Sequence, residues 1–259
     1  MQKRSLTDKL KNNRIIKFFR NRFSISPIFI DTSKINSSGV ISDSFIWRTD
    51  NGYETIFKYS DILKIFLQKN NTEAEVFFYD FKNNLLKKVY INKLELSNSI
   101  KIDKNLLEGF EGYGFFHIFF KNKNFQDNEK TIFSNRCYLG FSKYGKNISF
   151  VHGNTYVLLK SFDFKIKDFN FVNMSFFKNQ KYRIQNSFKN FDYSELFFTN
   201  PTDKKINFSI NDDNYSINGY SSLLVKIDNV NVVEITSNCY WLRPIVFNYK
   251  KNFFDVYHS

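Results

Sequence analysis

Only three prolines and nine glycines punctuate the 259 residues, a scarcity that excludes collagen-like, proline-rich and glycine-linker organisation. Cysteine is almost absent. Cys137 and Cys239 stand too far apart for a metal knuckle, and two cysteines cannot build a disulfide framework. They are expected as free, buried small residues in a reducing compartment. Histidine occurs three times, with no His-x-His, His-Glu-x-x-His or Cys-x-x-Cys pattern, so neither a metal ion nor a cofactor is expected. A Gly-x-Ser-x-Gly elbow, a phosphate loop and a dinucleotide fingerprint are all missing. No apolar run reaches the about 18 to 20 residues that cross a bilayer. Arg20 and Arg22 also break up the apolar residues between Ile15 and Ile30 before a secretory signal can form. These absences lead to the expectation of a soluble, cytoplasmic protein.

Aromatic residues are abundant, 19% of the chain with 33 Phe and 15 Tyr, which is far too much apolar mass for a disordered polypeptide. The net charge is +13, but it is unevenly spread. Residues 1–22 carry eight lysines and arginines against Asp8 alone, whereas the remainder is only mildly basic. Leu6, Leu10, Ile15, Ile16, Phe19 and Phe23 fall roughly on one helical stripe among these basic residues. Residues 1–24 are therefore predicted as a basic, helix-compatible arm. Weak contact with an anionic membrane surface is its functional reading, and a solvated arm is the alternative. Near-balanced charge outside the arm argues against a nucleic-acid partner.

From residue 41 the pattern turns to strands. In "SFIWRTDNGYETIF", Asn51-Gly52 sits between two strand-forming runs and predicts a type I′ hairpin that places Arg48 opposite Thr55. One internal helix is predicted at "YSDILKIFLQKN", with Ser60 as N-cap and Asp61 in the first turn. "GYGFFHIFFK" is apolar on both faces and reads as a central strand holding His117 as a satisfied core residue. "KNKNFQDNEK", residues 121–130, is the candidate boundary. Beyond it come "KYRIQNSF", "KINFSI", "SLLVKID", "NVVEITS" and "RPIVFNY", short strands separated by turn residues. Closely spaced strands with almost no helix predict an all-β, mainly antiparallel protein. The expected architecture is two consecutive β-sandwich domains, residues 25–125 and 126–259, after the arm at 1–24. A single jelly-roll-like domain is the alternative.

Candidate site residues come from polar groups set among strands. "SFVHGNTYVLL" predicts a type II′ turn at Gly153-Asn154 with His152 opposite Thr155, and His152 with Asn154 offers an imidazole and an amide at a hairpin tip. Arg48 beside Asp50, Arg136, Arg183 beside Gln185, and Arg243 are embedded in strand segments, where a guanidinium fork suits a carboxylate and stacks on aromatics. Trp47, Tyr138, Tyr182, Tyr240 and Trp241 would supply the rings. The structural alternative is that each arginine pairs with a nearby carboxylate, such as Asp50 or Glu54, and ties two layers together. Taken together, "IWRTDNGYETIF", "FVHGN", "YRIQNSF", "FFTNPTDKKI" and "RPIVFNYKKNFFDVYH" loosely resemble two-sandwich proteins of bacterial surface-polysaccharide gene clusters. That resemblance implies a carbohydrate-related role and brings no reaction with it.

The expected function is non-catalytic binding of a carbohydrate or another acidic, hydroxyl-rich ligand through Arg48, His152, Asn154, Arg183 and Gln185. An enzyme acting on a sugar or sugar nucleotide, with His152 or His117 as general base, is the rival reading. A structural protein docking through its basic arm is the third.

Overall fold

The computed structural model describes residues 13, 15, 16, 18, 19, 38–122, 131–135, 137–153, 156–161, 169–170, 179–184, 187–200, 202–239 and 242–259. The predicted basic arm lies outside these residues except at five positions, of which Ile15, Ile16, Phe18 and Phe19 are helical. Most of the expected boundary loop, residues 123–130, is outside as well. No described helix is long and apolar enough to cross a membrane.

The chain is all-β, as expected. In chain order β1 (Gly39–Asp43), β2 (Phe45–Arg48) and β3 (Tyr53–Ser60) precede the helix α1 (Ile62–Leu67). Then follow β4 (Glu73–Asp80), β5 (Leu85–Ile91), β6 (Ser97–Ile102), β7 (Tyr113–Lys121), β8 (Ile132–Asn135), β9 (Tyr138–Lys143), β10 (Ile148–His152), β11 (Tyr156–Ser161) and β12 (Phe169–Asn170). The last group is β13 (Gln180–Ile184), β14 (Tyr193–Thr199), β15 (Ile206–Ile210), β16 (Asp213–Ile217), β17 (Ser222–Ile227), β18 (Val233–Ser237), β19 (Ile245–Lys250) and β20 (Phe253–His258).

The arrangement of these strands corrects the expected pair of β-sandwiches, and the jelly-roll alternative with it. Four small antiparallel sheets are arranged as a four-bladed β-propeller. The blades have the strand orders β2-β7-β4-β5, β10-β9-β3-β6, β17-β14-β19-β20 and β13-β18-β15-β16. A fifth sheet, β12-β11-β1-β8, contains the parallel pair β1–β8. The physical reason is visible in the third blade, which buries both of its faces. Phe197, Phe247 and Tyr249 enter a large core shared with the first two blades, while Leu196, Phe198 and Val246 enter a smaller core shared with the fourth. A sheet that is apolar on both sides needs a partner on each side. It therefore cannot be the outer layer of a two-sheet sandwich.

Two tight hairpins form at runs of turn-favouring Asn and Asp. The Asn83-Asn84 turn joins β4 to β5, and Asn211-Asp212 joins β15 to β16 with Ile210 opposite Asp213. The two hairpins that carried most functional weight do not form. Asn51 and Gly52 do adopt the positive φ values a type I′ turn demands, 50° and 76°. Yet β2 pairs with β7, and β3 pairs with β6 and β9, so the turn passes the chain from one blade to another. Gly153 likewise separates strands of different sheets. β10 pairs with β9, placing His152 opposite Tyr138 instead of Thr155, and β11 pairs with β1. Space explains the glycine here, since a Cβ at Gly153 would lie 2.4 Å from the Asp43 carboxylate and 2.5 Å from the Phe45 ring.

The predicted central strand is correct. β7 lies between β2 and β4, buried on both faces from Gly114 to Phe120. Its Gly114 is required by contact, because a Cβ there would approach the Tyr79 carbonyl oxygen to 2.1 Å. Helix α1 also forms, one residue later than expected at its start. Asp61, not Ser60, is the N-cap, and its carboxylate accepts a hydrogen bond from the Lys64 amide at 3.0 Å. Replacing Asp61 with Ala should cost about 1 kcal/mol of unfolding free energy in a urea titration. An unchanged midpoint would show that the cap does not stabilise the fold.

Candidate functional site

Three blades meet on one guanidinium. Arg48 ends β2 of the first blade and is only 1% exposed. Its Nε and Nη2 donate to Asp50 Oδ1 and Oδ2 at 2.9 and 2.7 Å, a two-pronged pairing that matches the planar fork. Nη1 donates to Glu195 Oε2 at 2.6 Å, reaching β14 of the third blade. The Tyr249 hydroxyl on β19 donates to the same Glu195 oxygen at 2.5 Å. Tyr249 thereby uses its own proton, so Tyr53 of β3 is the donor in the 2.5 Å contact between the two hydroxyls. The guanidinium lies 4.3 Å above the Tyr53 ring and 5.0 Å from that of Phe247. Burial opposes its charge, but Asp50, Tyr249 and Glu195 more than compensate and hold Arg48 well above its ordinary pKa. Burial also raises the Tyr249 hydroxyl, with Arg48 pulling the other way and Tyr53 and Glu195 adding to the rise. A tyrosinate is thus disfavoured, and the network reads as a strut joining blades.

Directly outside this strut is a cleft of about 520 Å³ between two hairpins of neighbouring blades. The end of β9 and the turn after it bring Lys143, Tyr144, Lys146 and Asn147, and the turn after β19 with the start of β20 brings Lys251, Asn252 and Phe253. Tyr193, Tyr249 and Phe254 complete the wall. Positive φ angles at Tyr144 (54°), Gly145 (66°) and Lys251 (53°) make both turns tight. Each is anchored through backbone. The Tyr144 amide donates to the Gly52 carbonyl at 2.8 Å, and the Lys251 amide donates to the Asp192 carboxylate at 2.6 Å. Tyr193 and Tyr249 stack at 4.3 Å with 14° between their planes.

Three lysines border this cleft. Lys87, Lys88, Lys101, Lys104, Lys181 and Lys226 each pair with a carboxylate. Among the described residues, Lys143, Lys146 and Lys251 have no such partner, although they share one opening. Lys143 Nζ instead lies 5.2 Å from the Tyr53 ring centre, 5.0 Å from that of Tyr249 and 5.9 Å from that of Tyr144. Its pKa is lowered, first by burial and then by the Arg48 charge, with Glu195 and Asp50 opposing. Neither a family model nor any curated protein matches the chain.

The other large depression, about 550 Å³ on the fourth blade, is lined by Asn207, Ser209, Asn214, Ser216 and Thr236 among others, with no charged side chain. Its Phe208 is 4% exposed and belongs to the smaller core. The depression therefore offers polar strand surface without a charge to fix a ligand, and the lysine cleft is the stronger candidate.

The structure distributes the sequence-predicted residues widely. Arg48 is the buried strut, Arg183 on β13 pairs with Glu234 at 3.1 Å on the surface of the fourth blade, and the His152 ring lies tilted against that of His258, with centroids 4.9 Å apart. None of the three lines the cleft. Asn154 and Gln185 lie outside the described residues, as do Arg136, Tyr240 and Trp241. His117 is 4% exposed, with Nδ1 3.0 Å from the Asp43 carbonyl oxygen and its ring against Phe115, Phe119 and Tyr79. The described residues contain no group of three or more His, Cys, Asp and Glu able to hold a metal ion, and Cys137 and Cys239 are buried.

Proposed function

We propose that this protein binds an acidic, hydroxyl-rich ring compound, such as an acidic carbohydrate, in the cleft between the turns after β9 and β19, and leaves it chemically unchanged at saturation. The observation that supports this reading is the convergence of three ammonium groups without carboxylate partners on a wall of aromatic rings. Like charges held together repel one another, and an anionic ligand relieves that repulsion. Aromatic faces suit the apolar side of a sugar ring, and Asn147 and Asn252 add amide donors and acceptors at the rim.

The test is calorimetric titration with a glucuronic-acid-containing disaccharide against its neutral glucose counterpart. The acidic sugar should bind and the neutral one should bind markedly less. Removing Lys146 and Lys251 together should weaken binding roughly thirtyfold, taking about 1 kcal/mol for each charge. Affinity should also fall as salt is raised, because these ammonium groups are near solvent. Equal binding of both disaccharides, or none by the intact protein, would overturn the reading.

A further inference from the structure

We infer that the lysine cleft and an adjoining depression together bind two linked sugars, an acidic one against the lysines and an uncharged one beyond the Tyr144 ring. The inference rests on the proposed reading and deepens it, by extending the ligand past the cleft and giving Tyr144 a role of its own. The second depression, of about 420 Å³, also has Tyr144 in its wall, so the two adjoin across that side chain. Tyr144 is 70% exposed and Phe253, at the edge of the cleft, 66%. Two large rings left in water beside one cleft mark a surface that binds something. The turn holds Tyr144 in place. Its φ of 54° is one that bulky residues seldom take, and its amide is tied to the Gly52 carbonyl. Gly52 leaves room for the ring, since a Cβ there would collide with it.

The two depressions differ in charge. The lysine cleft gathers three ammonium groups without carboxylate partners among the described residues. In the second depression Glu54 and Asp103 both face Lys101, at 2.7 and 3.8 Å, and Lys104 pairs with Glu111 at 2.6 Å. Its charges are thus already balanced, and the exposed Asn105 adds an amide donor and acceptor. An acidic sugar placed there would meet two carboxylates and no unpaired cation. An uncharged sugar needs only hydrogen bonds. Because the two sugars are linked, the second contact forms at high effective concentration once the acidic one is held.

The experiment is calorimetric titration of the intact protein with glucuronic acid, the glucuronic-acid-containing disaccharide, and digalacturonic acid, in which both sugars are charged. The disaccharide with one uncharged sugar should bind roughly tenfold tighter than glucuronic acid, and digalacturonic acid should gain several-fold less. Tyr144→Gly removes the ring and suits the positive φ, and it should abolish most of the gain, whereas Tyr144→Phe should keep it. Saturation-transfer NMR on the unmodified protein supplies a readout that needs no variant. Irradiating the protein's aromatic protons should saturate protons of the uncharged sugar. Their absence from the difference spectrum, or glucuronic acid binding as tightly as the disaccharide, would overturn the inference and leave the proposed function intact. An equal gain from digalacturonic acid, or an undiminished gain in Tyr144→Gly, would overturn it as well. Failure of every acidic sugar to bind would instead sink the proposed function, and this inference with it.

Discussion

Replacing Arg48 with Ala should destabilise the protein by about 3 to 5 kcal/mol, the usual result of removing one partner from a buried ion pair. The guanidinium is 1% exposed, and it bridges the Asp50 and Glu195 carboxylates. Without it the two anions face each other beside Phe247, and the hydrogen bonds of Tyr249 and Tyr53 lose their positive anchor. Domains of this kind are typically stable by only about 5 to 15 kcal/mol, so the variant would retain at best a modest margin. Arg48→Lys should recover part of the loss, because an ammonium restores the charge but not the two-pronged geometry. Urea unfolding followed by the fluorescence of neighbouring Trp47 measures both. A loss below about 1 kcal/mol for Arg48→Ala would show that water replaces the guanidinium, and the strut interpretation would fail.

The second large effect is expected at Phe116. It is fully buried on β7 and touches three other rings, with centroids at 5.2 Å for Phe45, 4.8 Å for Phe57 and 5.1 Å for Phe78. Phe45 and Phe78 belong to the same blade, whereas Phe57 is on β3 of the second. Phe116→Ala should therefore open a cavity across the seam between blades and cost about 3 to 5 kcal/mol. Phe116→Leu fills most of the space and should cost about 1 to 1.5 kcal/mol. The ratio of the two losses discriminates cavity formation from loss of ring stacking. Nearly equal losses would mean that the aromatic geometry itself stabilises the seam, whereas negligible loss in both would mean that the core can collapse around the gap.

The site was partly legible at the level of single residues. Asp50 was named as a nearby carboxylate for Arg48, and the two do pair, because Asp50 opens the tight turn that directly follows β2 and a contact two residues away is a local matter. Glu195, 147 positions away, could not be named as the third member. The cleft was illegible for the same reason. Lys146-Asn147 and Lys251-Asn252 are ordinary turn sequences, and each became a candidate only when β10 and β20 brought their hairpins together. A recognisable signal does exist in hindsight, since both turns couple Lys-Asn with aromatic residues, Tyr144 in one and Phe253 in the other.

Composition and periodicity by themselves determined the strands, the one internal helix, the central character of β7 and the turn conformation at Asn51-Gly52. Each depends on interactions between residues close in the chain, or on the burial of a whole strand. Partner choice was decided only by the tertiary structure. A positive φ at residue 52 turns the backbone, but whether the following strand folds back on β2 or departs to another blade depends on which remote strands bury more apolar surface together. The propeller, the Arg48 strut and the lysine cleft all follow from that second decision, because long-range pairing is a competition that no local turn signal can settle.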